Sequence, residues 1–131
     1  MSTKNFVCII DDDKVYSYGI KKIIRRHNLG DSILLFENGK EALQAFTLMV
    51  ESGEELPDLI LLDIDMPVMN GWEFLAEFES LRKKVEKKID IYVISSTLDQ
   101  AGELYKLEHA GNVADFISKP VKTEDLKKIA D

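Results

Sequence analysis

The sequence predicts an α/β domain in which a five-stranded, doubly wound parallel sheet is covered by helices on both faces. Two observations lead to this prediction. Five short apolar runs alternate along the chain with longer segments whose apolar residues recur at spacings of three and four. The runs are continuously apolar, which is typical of strands buried on both faces of a parallel sheet. Five repeats of strand and helix, joined by right-handed crossovers, then form one doubly wound domain.

The predicted strands are short, and three of the helices have clear apolar faces. The strands cover Phe6 to Ile10, Ile33 to Phe36, Leu59 to Leu62, Ile91 to Ile94 and, more weakly, Phe116 to Ile117. The helical faces consist of Tyr16, Ile20, Ile23 and Ile24, of Ala42, Leu43, Phe46, Met49 and Val50, and of Leu75, Phe78, Leu81 and Val85. Spacings of three and four place each set on one side of a helix.

The remaining helices are predicted from residues that favour helix ends. A fourth helix is expected to start near Gln100, with Asp99 as its N-cap. A fifth is expected to start near Glu124, with Thr123 as its N-cap. Gly30 is expected to end the first helix, because glycine readily adopts the left-handed conformation that often follows a helix.

Length, charge and composition narrow the class of protein. A chain of 131 residues suits one domain, so residues 1–131 are expected to form a single unit. The formal net charge of −7 repels phosphate backbones, which argues against direct nucleic-acid binding. No apolar run approaches the roughly 20 residues of a membrane span, and the N-terminus lacks a signal-peptide core. We therefore expect a cytoplasmic protein without membrane contact.

Several conspicuous residues are interpreted as structural. Cys8, the single cysteine, lies in an apolar run and is expected to be a buried, unreactive thiol. Trp72 is expected to pack against the core. A basic cluster is expected to lie on the solvated face of a helix, and it consists of Arg82, Lys83, Lys84, Lys87 and Lys88.

Reactive polar residues follow four of the five predicted strands. The first strand is followed by the aspartates 11–13, the third by Asp63 and Asp65, the fourth by Ser95 and the fifth by Lys119. Only the second strand lacks such a group, and Asp13 is expected to cap a helix. Ligands of open parallel sheets bind beyond the carboxyl ends of the strands. The sequence therefore predicts one functional site at this edge.

The residue types at this edge indicate phosphoryl chemistry. Several carboxylates at close range repel one another and require a cation. Because all are hard oxygen ligands, Mg²⁺ is the expected metal. A carboxylate beside Mg²⁺ can attack phosphorus and form an aspartyl-phosphate. Lys119 would supply a positive charge and Ser95 a hydroxyl donor for the phosphoryl oxygens.

The sequence resembles the receiver domain of two-component response regulators, the chemotaxis-type receiver family. The segments that carry the resemblance are Ile9 to Asp13, Asp58 to Gly71, Val93 to Ser96, Ala110 to Gly111 and Asp115 to Pro120. The resemblance runs from about Lys4 to the end of the chain. It implies a flavodoxin-like fold with strand order 2-1-3-4-5 and five helices, and no output domain in these 131 residues.

The resemblance also implies the phosphoacceptor and the metal ligands. Asp63 would accept the phosphoryl group. Asp11 and Asp12 would form the acidic pair that holds Mg²⁺, with Asp12 the more direct ligand. Asp63 itself and the backbone carbonyl of Asp65 would complete the metal site. The side chain of Asp65 would also influence the lifetime of the aspartyl-phosphate, as would that of Thr97.

A second group of residues is implied to form the switch. Ser95 would follow the phosphoryl group, and Lys119 would contact a phosphoryl oxygen. Phe116 occupies the position of an aromatic side chain that moves together with the switch hydroxyl, although it lacks the hydroxyl of the tyrosine that is frequent there. The family usually has a cis peptide bond before the proline that corresponds to Pro120.

The resemblance finally implies partners and excludes a general enzymatic role. The phosphoryl group would come from a histidine kinase or phosphotransfer protein, and the protein would catalyse only its own phosphorylation and dephosphorylation. A downstream protein target would bind through the fourth and fifth strand–helix units. These expectations describe a signalling switch that acts by protein–protein contact.

Two other functions compete with this interpretation. A haloacid-dehalogenase-type Mg²⁺-dependent phosphatase would use Asp11 as its nucleophile and Asp13 as acid and base, but it would leave the segment from Asp63 to Gly71 unexplained. A receiver-like interaction domain that is never phosphorylated is the third possibility. The presence of the acidic pair together with Asp63, Ser95 and Lys119 argues against it.

Overall fold

A five-stranded parallel sheet forms the centre of the protein, for which a computed structural model describes residues 6–95 and 113–130. Its strands are β1 (Phe6–Ile10), β2 (Ser32–Phe36), β3 (Leu59–Asp63), β4 (Asp90–Ser95) and β5 (Asp115–Ser118). They lie in the order β2-β1-β3-β4-β5, and every neighbouring pair is parallel. The predicted doubly wound sheet and its strand order are confirmed.

Helices cover both faces of this sheet. They are α1 (Lys14–Arg26), α2 (Gly39–Glu51), α3 (Gly71–Arg82) and α4 (Thr123–Ala130). These are four of the five predicted helices. The remaining one, predicted from near Gln100, falls outside the described residues, as does Thr97.

Two apolar clusters, one on each face, hold the helices to the sheet. Alternate residues of β1 serve different faces, since Cys8 and Ile10 belong to the cluster with Phe46 of α2 and Phe74 of α3. Val7 and Ile9 belong to the cluster that packs against α1 and α4. Burial of each large apolar side chain stabilises the fold by about 1.5–3 kcal/mol. The alternation explains why the strands read as continuously apolar.

Burial differs between central and edge strands, which corrects one expectation. All five residues of β3 are buried, and so are four of five in β1. In β2 no residue is fully buried, and Leu35 is 37% exposed. The prediction of burial on both faces was wrong for this strand because an edge strand is incompletely covered by helices. Cys8 lies in the fully covered part and is completely buried, as predicted.

Helix ends are set by short-range hydrogen bonds. Asp13 caps α1 by accepting a bond from the Tyr16 N–H at 3.0 Å, and Asn38 caps α2 in the same way. At its other end α1 stops at Arg26, before Gly30, so the prediction that Gly30 ends it was wrong. Asn28 adopts the left-handed conformation with φ 53°, which asparagine tolerates better than most residues.

The basic cluster does not lie along one helix face, which corrects a second expectation. Helix α3 ends at Arg82, so the four lysines lie beyond it. The Arg82 guanidinium donates to the Ile89 carbonyl at 2.6 Å. Lys87 pairs with Asp58 at 2.9 Å and is only a quarter exposed. Arg82 and Lys87 therefore hold neighbouring segments together and are not fully solvated.

Candidate functional site

The carboxyl ends of the strands bring the predicted residues to one edge of the sheet. The register pairs Ile10 of β1 with Leu62 of β3, and Asp63 with Ile94 of β4. Residues that follow these positions therefore lie side by side. The aspartates after β1, Asp63 at the end of β3, Ser95 at the end of β4 and the segment after β5 share this edge, as the sequence predicted.

Asp63 lies at the floor of the site. It is the last residue of β3 and is 2% exposed. The Asp65 N–H donates to Asp63 Oδ1 at 3.4 Å, while the Asp65 side chain itself is exposed. Behind it, Gly71 allows α3 to begin in contact with β3, because a Cβ there would lie 2.7 Å from the Asp63 carbonyl oxygen. The glycine of the signature segment thus has a packing function.

Three carboxylates converge at this edge. One oxygen each from Asp11, Asp12 and Asp63 lies within 4.8 Å of the other two, among the residues the structure describes. Asp11 and Asp63 are buried, whereas Asp12 is exposed and opens the cluster to solvent. Clustered carboxylates with access to water are the donor set that Mg²⁺ favours, since it retains several water ligands. The residues present fit a hard divalent cation.

Lys119 provides the positive charge of the site. Its Nζ lies 3.2 Å from Asp11 Oδ2 and 3.5 Å from Asp63 Oδ1. Burial lowers the pKa of Lys119, but the two carboxylates more than offset this effect and the pKa is raised overall. The ammonium therefore remains charged, and in the described part of the chain one cation faces two buried carboxylates.

The excess of carboxylates over cations in the described site affects the pKa of Asp63. Burial, followed by repulsion from Asp11, raises the pKa of Asp63 to about 7, although Lys119 acts in the opposite direction. A carboxyl group with such a pKa holds a proton for much of the time near neutral pH. A cation that enters the cluster would replace this proton and favour the ionised, nucleophilic carboxylate.

The two residues predicted to switch lie on the neighbouring strands. Ser95 is 4% exposed, and its carbonyl accepts a hydrogen bond from the Lys119 N–H at 2.9 Å. Phe116 on β5 is half-buried, and its ring centroid lies 6.3 Å from that of Trp72. Trp72 packs against the apolar cluster, as predicted. The peptide bond between Lys119 and Pro120 is cis, as the resemblance implied.

One residue of the site was not identified from the sequence. Tyr16 was interpreted only as part of the apolar face of α1. In the structure its ring lies beneath the Lys119 ammonium, 4.8 Å from the ring centroid, and its hydroxyl accepts the Val121 N–H at 2.6 Å. A polar aromatic residue one helical turn after the acidic residues was the available signal.

None of the helices in residues 6–95 and 113–130 combines the length and apolar character needed to cross a bilayer.

Comparison with known proteins identifies the family. The profile of the response regulator receiver domain matches residues 7–131. The chain is 34% identical over 128 residues to a protein-glutamate methylesterase/protein-glutamine glutaminase of Clostridium acetobutylicum, spanning 95% of this chain and 33% of that protein. It is 29% identical over 123 residues to the sensor histidine kinase CheAY of Helicobacter pylori, spanning 94% of this chain and 14% of that protein.

A solved structure of similar fold supports the same assignment. The crystal structure of a two-component response regulator from Cytophaga hutchinsonii superimposes with a TM-score of 0.83 at 28% sequence identity. The superposition covers 96% of this chain and 93% of the other. Similarity therefore extends over nearly the whole of both chains.

Proposed function

The chain belongs to the response regulator receiver family, and we propose that it is a phosphorylation-dependent signalling switch in which Asp63 accepts the phosphoryl group. The observation that carries this proposal is the position of Asp63. Its buried carboxylate lies within reach of two further aspartates and of the Lys119 ammonium. A single nucleophilic carboxylate that faces both a candidate metal cluster and a cation is suited to phosphoryl transfer.

Asp63 would act as the nucleophile in the transfer. One of its carboxylate oxygens attacks the phosphorus of a phosphohistidine on the donor protein. The bond from phosphorus to the histidine nitrogen breaks, and the nitrogen keeps the electron pair. The product is an acyl phosphate on Asp63.

The acidic cluster would hold Mg²⁺. Asp11, Asp12 and Asp63 would contribute carboxylate oxygens, and the backbone carbonyl of Asp65 would complete the protein ligands. When bound, Mg²⁺ supplies positive charge that offsets the charge of the phosphoryl oxygens. The exposed position of Asp12 leaves one side of the cluster open, which suits a metal that must also meet the phosphoryl donor.

Lys119 and Ser95 would bind the phosphoryl oxygens once Asp63 is phosphorylated. The Lys119 ammonium exchanges a carboxylate oxygen for a phosphoryl oxygen, and Ser95 donates its hydroxyl hydrogen to another. The hydrogen bond between the Lys119 N–H and the Ser95 carbonyl couples the two segments. Phe116 would then move relative to Trp72, with which it is in ring contact, and alter the surface near β4 and β5.

The partners and cellular setting belong to the same proposal. The phosphoryl group would come from a histidine kinase or phosphotransfer protein, and the target would bind near the fourth and fifth strand–helix units. We also propose that residues 1–131 act as one receiver domain in the cytoplasm, with no catalytic activity beyond their own phosphorylation and dephosphorylation. The methylesterase and histidine kinase relatives are longer proteins, and this chain spans 33% and 14% of their lengths.

The alternative phosphatase gains no support. It requires Asp13 as a free acid and base, but Asp13 Oδ1 accepts the Tyr16 N–H and caps α1. Asp11 Oδ1 accepts the Asp13 N–H at 2.9 Å, and its other oxygen faces Lys119. The family profile that matches is that of the receiver domain.

Intact mass after incubation with acetyl phosphate and Mg²⁺ tests the proposal. The wild type is expected to gain one phosphoryl group, and Asp63→Asn none. Asp13→Asn is the matched control, because its amide oxygen can still cap α1, and it should be labelled like the wild type. A mass gain that persists in Asp63→Asn would overturn the assignment. Labelling that instead requires Asp11 as the modified residue would favour the phosphatase.

Beryllofluoride binding gives a second measurement. Trp72 fluorescence is expected to change when the phosphoryl analogue binds, because the ring of Phe116 lies 6.3 Å away. In Phe116→Leu the same addition should give a smaller change while affinity is retained. An unchanged fluorescence response in this variant would show that Phe116 does not report the switch.

A further inference from the structure

Tyr16 connects the first turn of α1 to the segment that follows β5. Its hydroxyl accepts the backbone N–H of Val121 at 2.6 Å, across 105 positions of sequence. Its ring lies beneath Lys119 Nζ, 4.8 Å from the centroid. Lys119 and Val121 flank Pro120, so a single side chain contacts both sides of this proline. The two contacts are independent of each other chemically, since one uses the hydroxyl and the other the ring face.

The ring contact meets a specific need of Lys119. A lysine side chain has a flexible four-carbon stem, and the Asp11 and Asp63 carboxylates contact its ammonium without restraining the stem. The face of an aromatic ring attracts a cation without offering a lone pair that competes for its protons. The ring can therefore hold the ammonium while its donors move from a carboxylate to a phosphoryl oxygen.

The hydroxyl contact holds the ring in place. Tyr16 packs against the apolar cluster on the α1 and α4 face, which includes Val121. Burial raises the pKa of Tyr16, and the bond from the Val121 N–H acts in the opposite direction without cancelling it. The phenol is therefore neutral at physiological pH, and its oxygen remains a single fixed acceptor for the segment after β5.

We propose that Tyr16 is a positioning residue for Lys119, whose ring supports the ammonium during phosphoryl transfer and whose hydroxyl anchors the segment after β5. The inference rests on the proposed function, because it assigns Tyr16 a part in the same reaction. Tyr16 does not touch the reacting atoms and acts through Lys119.

A double-mutant cycle on the phosphorylation rate tests the coupling. With acetyl phosphate and Mg²⁺, Tyr16→Leu is expected to slow labelling about tenfold, and Tyr16→Phe, which keeps the ring, about threefold. In a Lys119→Ala background both factors should fall to about one, because two residues that act through one contact are not additive. Where Lys119→Ala reacts too slowly to follow, beryllofluoride affinity provides the same cycle.

Tyr18 offers a matched control on the same helix. It is 55% exposed, and its ring lies beneath Lys22 at 5.3 Å, away from the site. Tyr18→Leu removes a similar ring and cation contact and should leave the labelling rate unchanged. A small-molecule donor is used so that docking of a protein partner does not affect the comparison.

An NMR measurement locates the contact without relying on the reaction. The Lys119 side-chain resonances should be shifted upfield by the ring current of Tyr16. The shift should persist in Tyr16→Phe and disappear in Tyr16→Leu. Tyr16→Phe removes only the hydroxyl, so the Lys119 resonances can be compared between this variant and the wild type even if Tyr16→Leu unfolds.

The possible outcomes separate the inference from the function it rests on. The role of Tyr16 would be overturned, and the proposed function left intact, by either of two results. One is that Tyr16→Leu slows labelling by the same factor in the wild-type and Lys119→Ala backgrounds. The other is that the Lys119 resonances are unchanged in Tyr16→Leu. A wild type that gains no phosphoryl group would overturn the proposed function, and the catalytic part of the inference with it. Rate factors that vanish in Lys119→Ala, together with the lost shift, would establish the positioning role.

Discussion

The two ends of β3 carry the same kinds of residue and use them differently. Asp58 directly precedes β3, pairs with Lys87 at 2.9 Å and accepts a hydrogen bond from the Phe6 N–H at 2.9 Å. Lys87 also donates a hydrogen bond to the Leu56 carbonyl. At its last residue, Asp63 faces Lys119 at 3.5 Å, and Asp11 competes for the same ammonium. Among residues 6–95 and 113–130, one end matches each of these charges with a partner, and the other leaves a surplus of negative charge.

The difference indicates which end is suited to the proposed phosphoryl chemistry. The paired charges of Lys87 and Asp58 stabilise the start of β3, and neither group needs a further ion. Two buried carboxylates against one lysine instead raise the pKa of Asp63 to about 7 and leave room for a second cation. The surplus charge is a cost to stability that a metal can relieve.

The largest expected effect is on phosphorylation. Lys119→Ala should slow labelling by acetyl phosphate about 100-fold, because it removes a cation that faces the developing charge. Lys87→Ala, at the opposite end of the strand, should retain the wild-type rate. The rates are measured by intact mass against time. Equal losses in the two variants would show that the ends do not differ in function.

The next effect is on stability at the paired end. Asp58→Ala should reduce the free energy of unfolding by about 2 kcal/mol, because the Phe6 N–H loses the Asp58 acceptor and the Lys87 ammonium loses the carboxylate that lies 2.9 Å away. Asp58→Asn keeps a neutral acceptor and should lose less. Urea unfolding measures both. Glu55 lies 3.7 Å from Lys87 and is 85% exposed, so Glu55→Ala serves as a control with little change.

Metal binding should stabilise only the end with surplus charge. Mg²⁺ at ten times its dissociation constant should raise the free energy of unfolding by about 1.4 kcal/mol. Asp12→Asn should weaken this response, whereas Asp58→Asn should keep it. Thermal unfolding at constant ionic strength provides the measurement. A response to Mg²⁺ that is unchanged in Asp12→Asn would place the metal elsewhere.

The smallest expected effect is a pH dependence without metal. The pKa of Asp63 is about 7 in the folded protein and lower when the chain is unfolded, so the folded state binds the extra proton between these values. Stability should therefore fall, by about 1 kcal/mol, as the pH rises from about 6 to about 8. Asp63→Asn should flatten this profile. Identical profiles in urea titrations of the two proteins would contradict the prediction.

Much of the site could be read from the sequence because parallel strands share their carboxyl edge. Placing Asp63, Ser95 and Lys119 after separate apolar runs was sufficient to predict that they converge. Asp13 could be interpreted as a cap from its position before a helical segment, and its bond to the Tyr16 N–H confirms this. Such features depend on local pattern and on general rules of topology.

Other features depended on contacts that no local pattern records. Lys87 was interpreted as part of a solvated helix face, but it lies beyond the end of α3 and reaches across 29 positions to Asp58. Tyr16 looked like one more apolar residue of α1 until its ring was found beneath Lys119. Gly30 does not end α1, because the helix stops at Arg26 and Asn28 already adopts the left-handed conformation.

By itself the sequence determined the fold class, the edge that carries the site and the residues that gather there, because hydrophobic periodicity and strand polarity are written in residue order. Only the tertiary structure decided how the charges are shared. It placed Asp11 and Asp63 on one lysine, paired Asp58 with another, and set Tyr16 beneath Lys119. These contacts join residues that are far apart in the chain. Their strength depends on distances of a few ångströms, because the energy between two charges varies inversely with their separation.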